Sequence, residues 1–176
     1  MAYRRLWVLI EGTDDEIFFE QVVKPEIEAR YDFIGFWQYA QEPRKRTQDF
    51  LRSITSMNAN YFLLADINDL PCLTAKKDWI QSRYGKAIHV TRAIIVVPEI
   101  ESWYLAGLNE EACTELGIQT STDTDEMTKE KFNNLIPKTF DSRIDFMVEV
   151  LKRFSIKTAV RKNRSFDYFA RRVGLV

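Results

Sequence analysis

Short apolar runs alternate with longer amphipathic stretches over the first hundred residues of the chain. The apolar runs are short enough to be β-strands, and they lie at residues 6–10, 33–39, 61–65 and 93–97. The stretches between them place apolar side chains at helical spacing, and they predict helices at residues 14–29, 44–57 and 74–84. Strands and helices that alternate in this way are typical of a parallel sheet with right-handed crossovers. The sequence therefore predicts an α/β fold with a Rossmann-like parallel sheet of about four strands flanked by helices.

The strand pattern disappears after residue 101. Apolar side chains then recur at helical spacing in three segments, at residues 102–106, 143–154 and 165–173. We expect a single domain over residues 1–176, because a chain of this length is enough for one sizeable core. Its parts are an α/β core at residues 1–108 and a helical C-terminal extension at residues 109–176.

Acidic residues directly follow three of the predicted strands: Glu11 the first, Asp66 the third and Glu99 the fourth. Gly12 is expected to let the chain turn sharply after Glu11. Parallel strands bring their carboxyl ends to one edge of the sheet, where ligands bind in open α/β folds, so we expect these acids to converge. Oxygen ligands of this kind suit Mg²⁺, and the candidate ligands are Glu11, Asp66, Asn68, Asp69, Glu99 and Glu101. A lone carboxylate at a strand end is also commonly a helix cap or an ion-pair partner.

The formal net charge is −1, which gives no global attraction to nucleic acid or membranes. The charges are unevenly distributed, because acids concentrate in residues 99–149 and bases in residues 152–176. The candidate side chains for phosphate contact are basic or carry a hydroxyl, and they are Arg44, Arg46, Arg161, Lys162, Arg164 and Ser165. Solvated charged faces explain most such residues equally well, and for Ser165 we favour a role as a helix cap.

Several classes of protein are excluded by what the sequence lacks. Two cysteines and one histidine are too few for a disulfide framework or a zinc site, which favours a reducing, cytoplasmic location. No stretch has the length and apolar character of a membrane span, and the charged start lacks a signal-peptide pattern. The P-loop motif, the dinucleotide-binding glycine motif and a serine–histidine–acid set for acyl transfer are also missing.

Two segments resemble the TOPRIM domain. Leu9-Ile10-Glu11-Gly12, with Asp15 and Glu16 shortly after, is similar to its first motif, in which a glutamate ends the first strand and a glycine follows. Asp66-Ile67-Asn68-Asp69 resembles its second, acidic motif, with Asn68 in place of the second aspartate. The segments 98–105 and 164–169 are similar to TOPRIM-like proteins related to the RloB and OLD-nuclease groups.

The resemblance implies an Mg²⁺- or Mn²⁺-dependent phosphoryl-transfer enzyme, and a nuclease acting on DNA or RNA is the expected activity. It implies that Glu11 is a general acid, a general base or a ligand, and that Asp66 is a metal ligand. A role in a defence system with a separate ATPase partner is also implied. Two alternatives stay open. One is a catalytically silent TOPRIM-like interaction module, which Asn68 permits, and the other is a small-molecule phosphohydrolase, which a narrow cavity would favour.

Overall fold

A computed structural model describes residues 3–176 of the chain. The structure divides into two compact units, an N-terminal unit at Met1–Val96 and a C-terminal unit at Val97–Val176. The N-terminal unit contains the whole sheet, and the C-terminal unit is helical. The division thus follows the last strand directly, whereas the sequence placed the start of the C-terminal extension at residue 109.

The N-terminal unit is built on a four-stranded, fully parallel sheet in the order β2-β1-β3-β4. The strands are β1 at Arg5–Ile10, β2 at Phe33–Gln38, β3 at Asn60–Asp66 and β4 at Ala93–Val96. β1 and β3 are the inner strands, and their apolar runs are unbroken because helices cover both faces of the sheet. The predicted α/β fold with a Rossmann-like parallel sheet is therefore confirmed.

The helices between the strands lie where the sequence predicts them. The first predicted helix is a continuous helical segment of four parts: α1 at Thr13–Phe18, a π-helical turn at Phe19–Val23, α2 at Lys24–Ile27 and a 3₁₀ turn at Glu28–Arg30. Pro25 has no N–H to donate to the preceding turn, which accounts for the change in helical geometry just before it. The other two are α3 at Arg44–Ser56 and α4 at Leu73–Tyr84. Gly85 ends α4 in a conformation with a φ of +60°, which glycine adopts without strain.

Aromatic contacts identify the helices that cover each face of the sheet. Phe19 in the π-helical turn contacts Phe36 and Phe62, with ring centroids 5.5 Å and 5.6 Å apart. On the opposite face, Phe50 of α3 contacts Trp7 and Trp37 at 5.0 Å and 4.0 Å. We call these the α1 face and the α3 face. Because side chains alternate along a strand, every position of the sheet belongs to one face or the other.

The C-terminal unit consists of short helices around an aromatic core. They are α5 at Ile100–Ala106, α6 at Glu110–Leu116, α7 at Lys129–Leu135, α8 at Arg143–Lys152, α9 at Ile156–Lys162 and α10 at Arg164–Val173. α5, α8 and α10 match predicted helices. The sequence analysis gave no bounds for α6, α7 and α9, whose seven residues each are too short for a clear apolar period. Trp103, Phe166 and Phe169 are fully buried at the centre of this unit. No helix within residues 3–176 is long and apolar enough to cross a membrane.

We expect Gly107→Ala to destabilise the C-terminal unit. A Cβ at this position would lie closer to Cδ2 of Phe154 than atoms can approach, and overpacking of this kind costs about 1–3 kcal/mol. Urea unfolding of the variant measures the loss. Because the clash involves one ring, the same substitution made in a Phe154→Ala background should cost much less, and an equal cost in both backgrounds would contradict this explanation.

Candidate active site at the carboxyl edge of the sheet

A cavity of about 420 Å³ lies at the carboxyl edge of the sheet in the N-terminal unit. Residues that follow β1, β2 and β3 form one side of it, and α4 forms the other. The polar side chains at its wall include those of Glu11, Tyr39, Asn68, Asp69, Lys76 and Arg83. The cavity therefore brings together three of the predicted site residues, Glu11, Asn68 and Asp69, with polar side chains that the sequence did not identify.

Glu11 is held in place by a tyrosine and a lysine. Its Oε1 lies 2.9 Å from the Tyr39 hydroxyl and 3.8 Å from Nζ of Lys76. Tyr39 is fully buried, and burial followed by the neighbouring Glu11 carboxylate raises its pKa well above the ordinary value. The hydroxyl therefore stays protonated and can donate its single hydrogen to Glu11 or to the Leu64 carbonyl, which lies 3.0 Å away.

Lys76 is an unusual wall residue because its ammonium group is removed from solvent. The residue is only 3 % exposed, and Nζ lies 5.0 Å from the ring centroid of Trp79. A buried ammonium needs an anion close by, and Glu11 supplies it. Lys76 stands beside Lys77 and Asp78 in the sequence, and such a polar run in a helix gives no sign that one of its members is buried.

Asp66 reaches the same edge of the sheet as Glu11 but from the other face. β1 and β3 pair with Leu9 opposite Leu63, so residues at these two positions share the α3 face. Alternation along β3 then puts Asp66, three positions beyond Leu63, on the α1 face with Phe62 and Leu64. This explains why Asp66 is not among the residues that line the cavity, although Glu11 is.

The turn after β3 carries Asn68 and Asp69 to the cavity. Asn68 adopts a left-handed conformation with a φ of 52°, which asparagine tolerates better than most residues. Its Nδ2 donates to the Asp66 carbonyl over 3.3 Å, which stabilises the turn. Asn68 and Asp69, two and three residues beyond Asp66, thus occupy the position at the cavity that the sequence gave to Asp66 itself.

Glu99 and Glu101 belong to the C-terminal unit, where each has a partner. Oε2 of Glu99 accepts from the backbone N–H of Lys129 at 2.5 Å, at the first turn of α7. Glu101 is buried, and its Oε1 accepts from Nη2 of Arg143 at 2.6 Å. Burial raises the pKa of Glu101, while the Arg143 guanidinium acts in the opposite direction. Both acids therefore contribute to packing within their own unit.

Most of the basic side chains predicted to contact phosphate have protein partners. Arg46 pairs with Glu42 at 2.9 Å, and Arg164 pairs with Asp125. Arg44 donates to the Ser82 carbonyl at 3.4 Å, and Lys162 donates to the Leu108 carbonyl at 2.6 Å. Arg161 is exposed at the end of α9. None of these five lines the cavity around Glu11.

Ser165 does not cap α10, so the interpretation favoured from the sequence is wrong. Asn163 is the N-cap residue, and its Oδ1 accepts from the backbone N–H of Phe166 at 2.9 Å. Ser165 lies inside the first turn, where its hydroxyl accepts from Nε1 of Trp103 at 2.7 Å. The hydroxyl satisfies a buried indole N–H, and asparagine is a strong N-cap residue in its own right.

Within residues 3–176, no group of three or more histidine, cysteine or acidic side chains is arranged to hold a metal ion. Of the expected ligands, the carboxylates of Glu11 and Asp69 and the amide of Asn68 line the cavity. The six-residue ligand set expected from the sequence is therefore represented in the cavity by these three.

The turn after Glu11 is stabilised by Asp15 rather than by the flexibility of glycine. Gly12 has an extended backbone, with φ −158° and ψ −167°, and a Cβ there would meet no atom within 4 Å. The expectation that glycine is needed for a sharp turn is thus wrong. Oδ2 of Asp15 instead accepts from the Gly12 N–H at 2.9 Å. Asp15 is buried, and burial, together with the nearby Glu11 and Asp14, raises its pKa to about 7.

We expect Asp15→Asn to stabilise the protein at alkaline pH and to have little effect near pH 4. Folding raises the pKa of Asp15 from 3.8 to about 7. The unfolded chain therefore binds fewer protons than the folded state in this range, and wild-type stability falls as the pH rises through it. Asparagine retains an acceptor for the Gly12 N–H without the charge, so the gain at about pH 8 is at most about 4 kcal/mol. Urea unfolding across this pH range measures it, and a pH-independent difference would argue against a raised pKa.

The chain was also compared with known proteins. It matches no family model, no curated protein and no solved structure at a significant level. The resemblance of Leu9–Gly12 and Asp66–Asp69 to TOPRIM motifs therefore stays a prediction. Function has to be inferred from the side chains that the fold brings to the cavity.

Proposed function

We propose that the protein is a phosphoryl-transfer enzyme that hydrolyses phosphodiester bonds in DNA or RNA, with its active site at the cavity around Glu11. The observation that carries this proposal is the pairing of Glu11 with Lys76, whose Oε1 and Nζ lie 3.8 Å apart at the cavity wall. An acid and a cation at the carboxyl edge of a parallel sheet stand where open α/β folds bind ligands. A volume of about 420 Å³ suits one nucleotide unit.

The two side chains supply complementary parts of a hydrolysis. The Glu11 carboxylate accepts a proton from a water molecule, whose oxygen forms a bond to phosphorus while the bond to the leaving sugar oxygen breaks. The leaving oxygen takes a proton from solvent. Lys76 offsets negative charge on the phosphate, and the Tyr39 hydroxyl fixes the orientation of the Glu11 carboxylate.

The expected Mg²⁺ or Mn²⁺ is part of this proposal. Mg²⁺ is usually bound by one or two protein carboxylates together with phosphate oxygens of the substrate, rather than by a cage of protein ligands. Glu11, Asn68 and Asp69 fit that mode, because they bring two carboxylates and one amide oxygen to the cavity. When bound, the ion would lower the pKa of water and neutralise charge on the phosphate.

A second candidate is a catalytically silent interaction module that works with a separate ATPase partner. This candidate is favoured because two of the expected metal ligands already have partners within the protein. Glu101 is paired with Arg143, and Glu99 accepts from the Lys129 N–H. It is also favoured by Asn68, a neutral side chain where a TOPRIM motif has an acid. Such a module would keep the fold and lack metal binding.

We expect Glu11→Gln to lower the rate of nucleic-acid cleavage by about 10²–10⁴-fold, because glutamine cannot accept the proton. The measurement is the cleavage rate of labelled single-stranded and double-stranded DNA and RNA with Mg²⁺ or Mn²⁺. Glu20→Gln is the matched control, since Glu20 pairs with Lys24 on the first helical segment and does not line the cavity. Equal activity of wild type and Glu11→Gln would rule out this assignment.

Calorimetry with Mn²⁺ separates the two candidates. The enzyme proposal expects wild type to bind Mn²⁺, and Asp69→Asn to weaken binding by about 10-fold or more because it removes one of two carboxylates. Asp49→Asn, at an exposed acid paired with Arg52, should bind as wild type does. Absence of binding by wild type, with and without a nucleotide present, would favour the silent module.

A further inference from the structure

Arg83 is a cavity residue whose guanidinium is held by aromatic rings. It lies near the end of α4, and its Cζ is 5.4 Å from the ring centroid of Trp79 and 5.7 Å from that of Tyr84. Its Nε also lies 3.3 Å from the Tyr84 hydroxyl. Contacts with two rings restrain the planar group, so it loses little further freedom when it binds a ligand.

The Arg83 guanidinium has no carboxylate within ion-pair distance among residues 3–176. By contrast, Arg46, Arg143 and Arg164 each pair with an acid of the protein. Lys76, the other cation of the cavity, is already beside Glu11. Arg83 is therefore the cavity cation whose charge the protein leaves for a ligand.

We propose that Arg83 binds a phosphate oxygen of the ligand that occupies this cavity, and that the ligand is a phosphate ester of the nucleotide class. The planar fork of a guanidinium matches two phosphate oxygens and forms strong, charge-assisted hydrogen bonds with them. The identity of the ligand as a nucleotide rests on the proposed function. The phosphate contact itself rests on the position, restraint and unpaired charge of Arg83.

Calorimetry with adenosine 5′-monophosphate, adenosine and a short single-stranded oligonucleotide tests this proposal. We expect wild type to bind the monophosphate at least about 10-fold more tightly than adenosine, and Arg83→Met to weaken monophosphate binding by about 10–100-fold. Arg83→Lys should retain part of the affinity, because lysine keeps the charge and loses the fork. Tighter binding of the oligonucleotide than of the monophosphate would identify a nucleic-acid strand as the source of the phosphate ester, and the reverse order would identify a free nucleotide.

Arg92→Met is the matched control. Arg92 also stacks on an aromatic ring, with Cζ 4.7 Å from the ring centroid of Tyr61, and it does not line the cavity. Arg83→Met should therefore lose affinity where Arg92→Met does not. Equal affinity of Arg83→Met and wild type, or an equal loss in both variants, would overturn the proposal. The proposal would also be overturned if wild type bound adenosine as tightly as the monophosphate, or if it bound neither compound.

A measurement on wild type alone covers the case in which Arg83→Met fails to fold. Inorganic phosphate should displace the monophosphate competitively, and its failure to compete would overturn the phosphate contact. These outcomes are distinct from those of the Glu11→Gln experiment. Cleavage with unchanged affinity in Arg83→Met would reject only the phosphate contact, and Arg83-dependent binding without any cleavage would reject only the enzyme.

Discussion

The parallel register of β1 with its neighbours is the constraint on which the candidate site depends. Leu9 is paired with Trp37 on one side and with Leu63 on the other. β1 and β2 therefore end level with each other and β3 continues two residues further, so the residues that follow all three strands meet at one edge. A shift of one residue would turn every side chain of β1 to the opposite face and bury Glu11 against the wrong helices.

The same register separates the two acids that the sequence treated as equivalent. Glu11 stands on the α3 face, where α4 presents Lys76 to it, and Asp66 stands on the α1 face. Side chains at the same edge of a sheet can thus lie on either of its two faces, and only those on the same face come together. The turn at Asn68 and Asp69 crosses from the end of β3 to the cavity and restores acidic character on the α3 face.

Negative charge around this edge is accommodated in three physically different ways. Glu11 is partly exposed, and an ammonium group and a tyrosine hydroxyl lie beside it. Asp15 is buried close to Glu11, and its raised pKa keeps it largely protonated below neutral pH. Asp69 stays exposed to solvent. Arg83 adds a second positive charge at the cavity wall, where aromatic rings contact its guanidinium and no acidic side chain of residues 3–176 pairs with it.

Hydrophobic periodicity was enough to predict the strands, most of the helices and the fold class, because it directly reflects which faces are buried. It also identified Glu11, since an acid directly after a buried strand must lie at the carboxyl edge of a parallel sheet. The side chains that join Glu11 could not be predicted in this way. Tyr39 and Lys76 come from other elements far along the chain, and their burial depends on packing that no local pattern reports. The face on which Asp66 lies was likewise decided by strand register, because it depends on where β3 ends relative to β1.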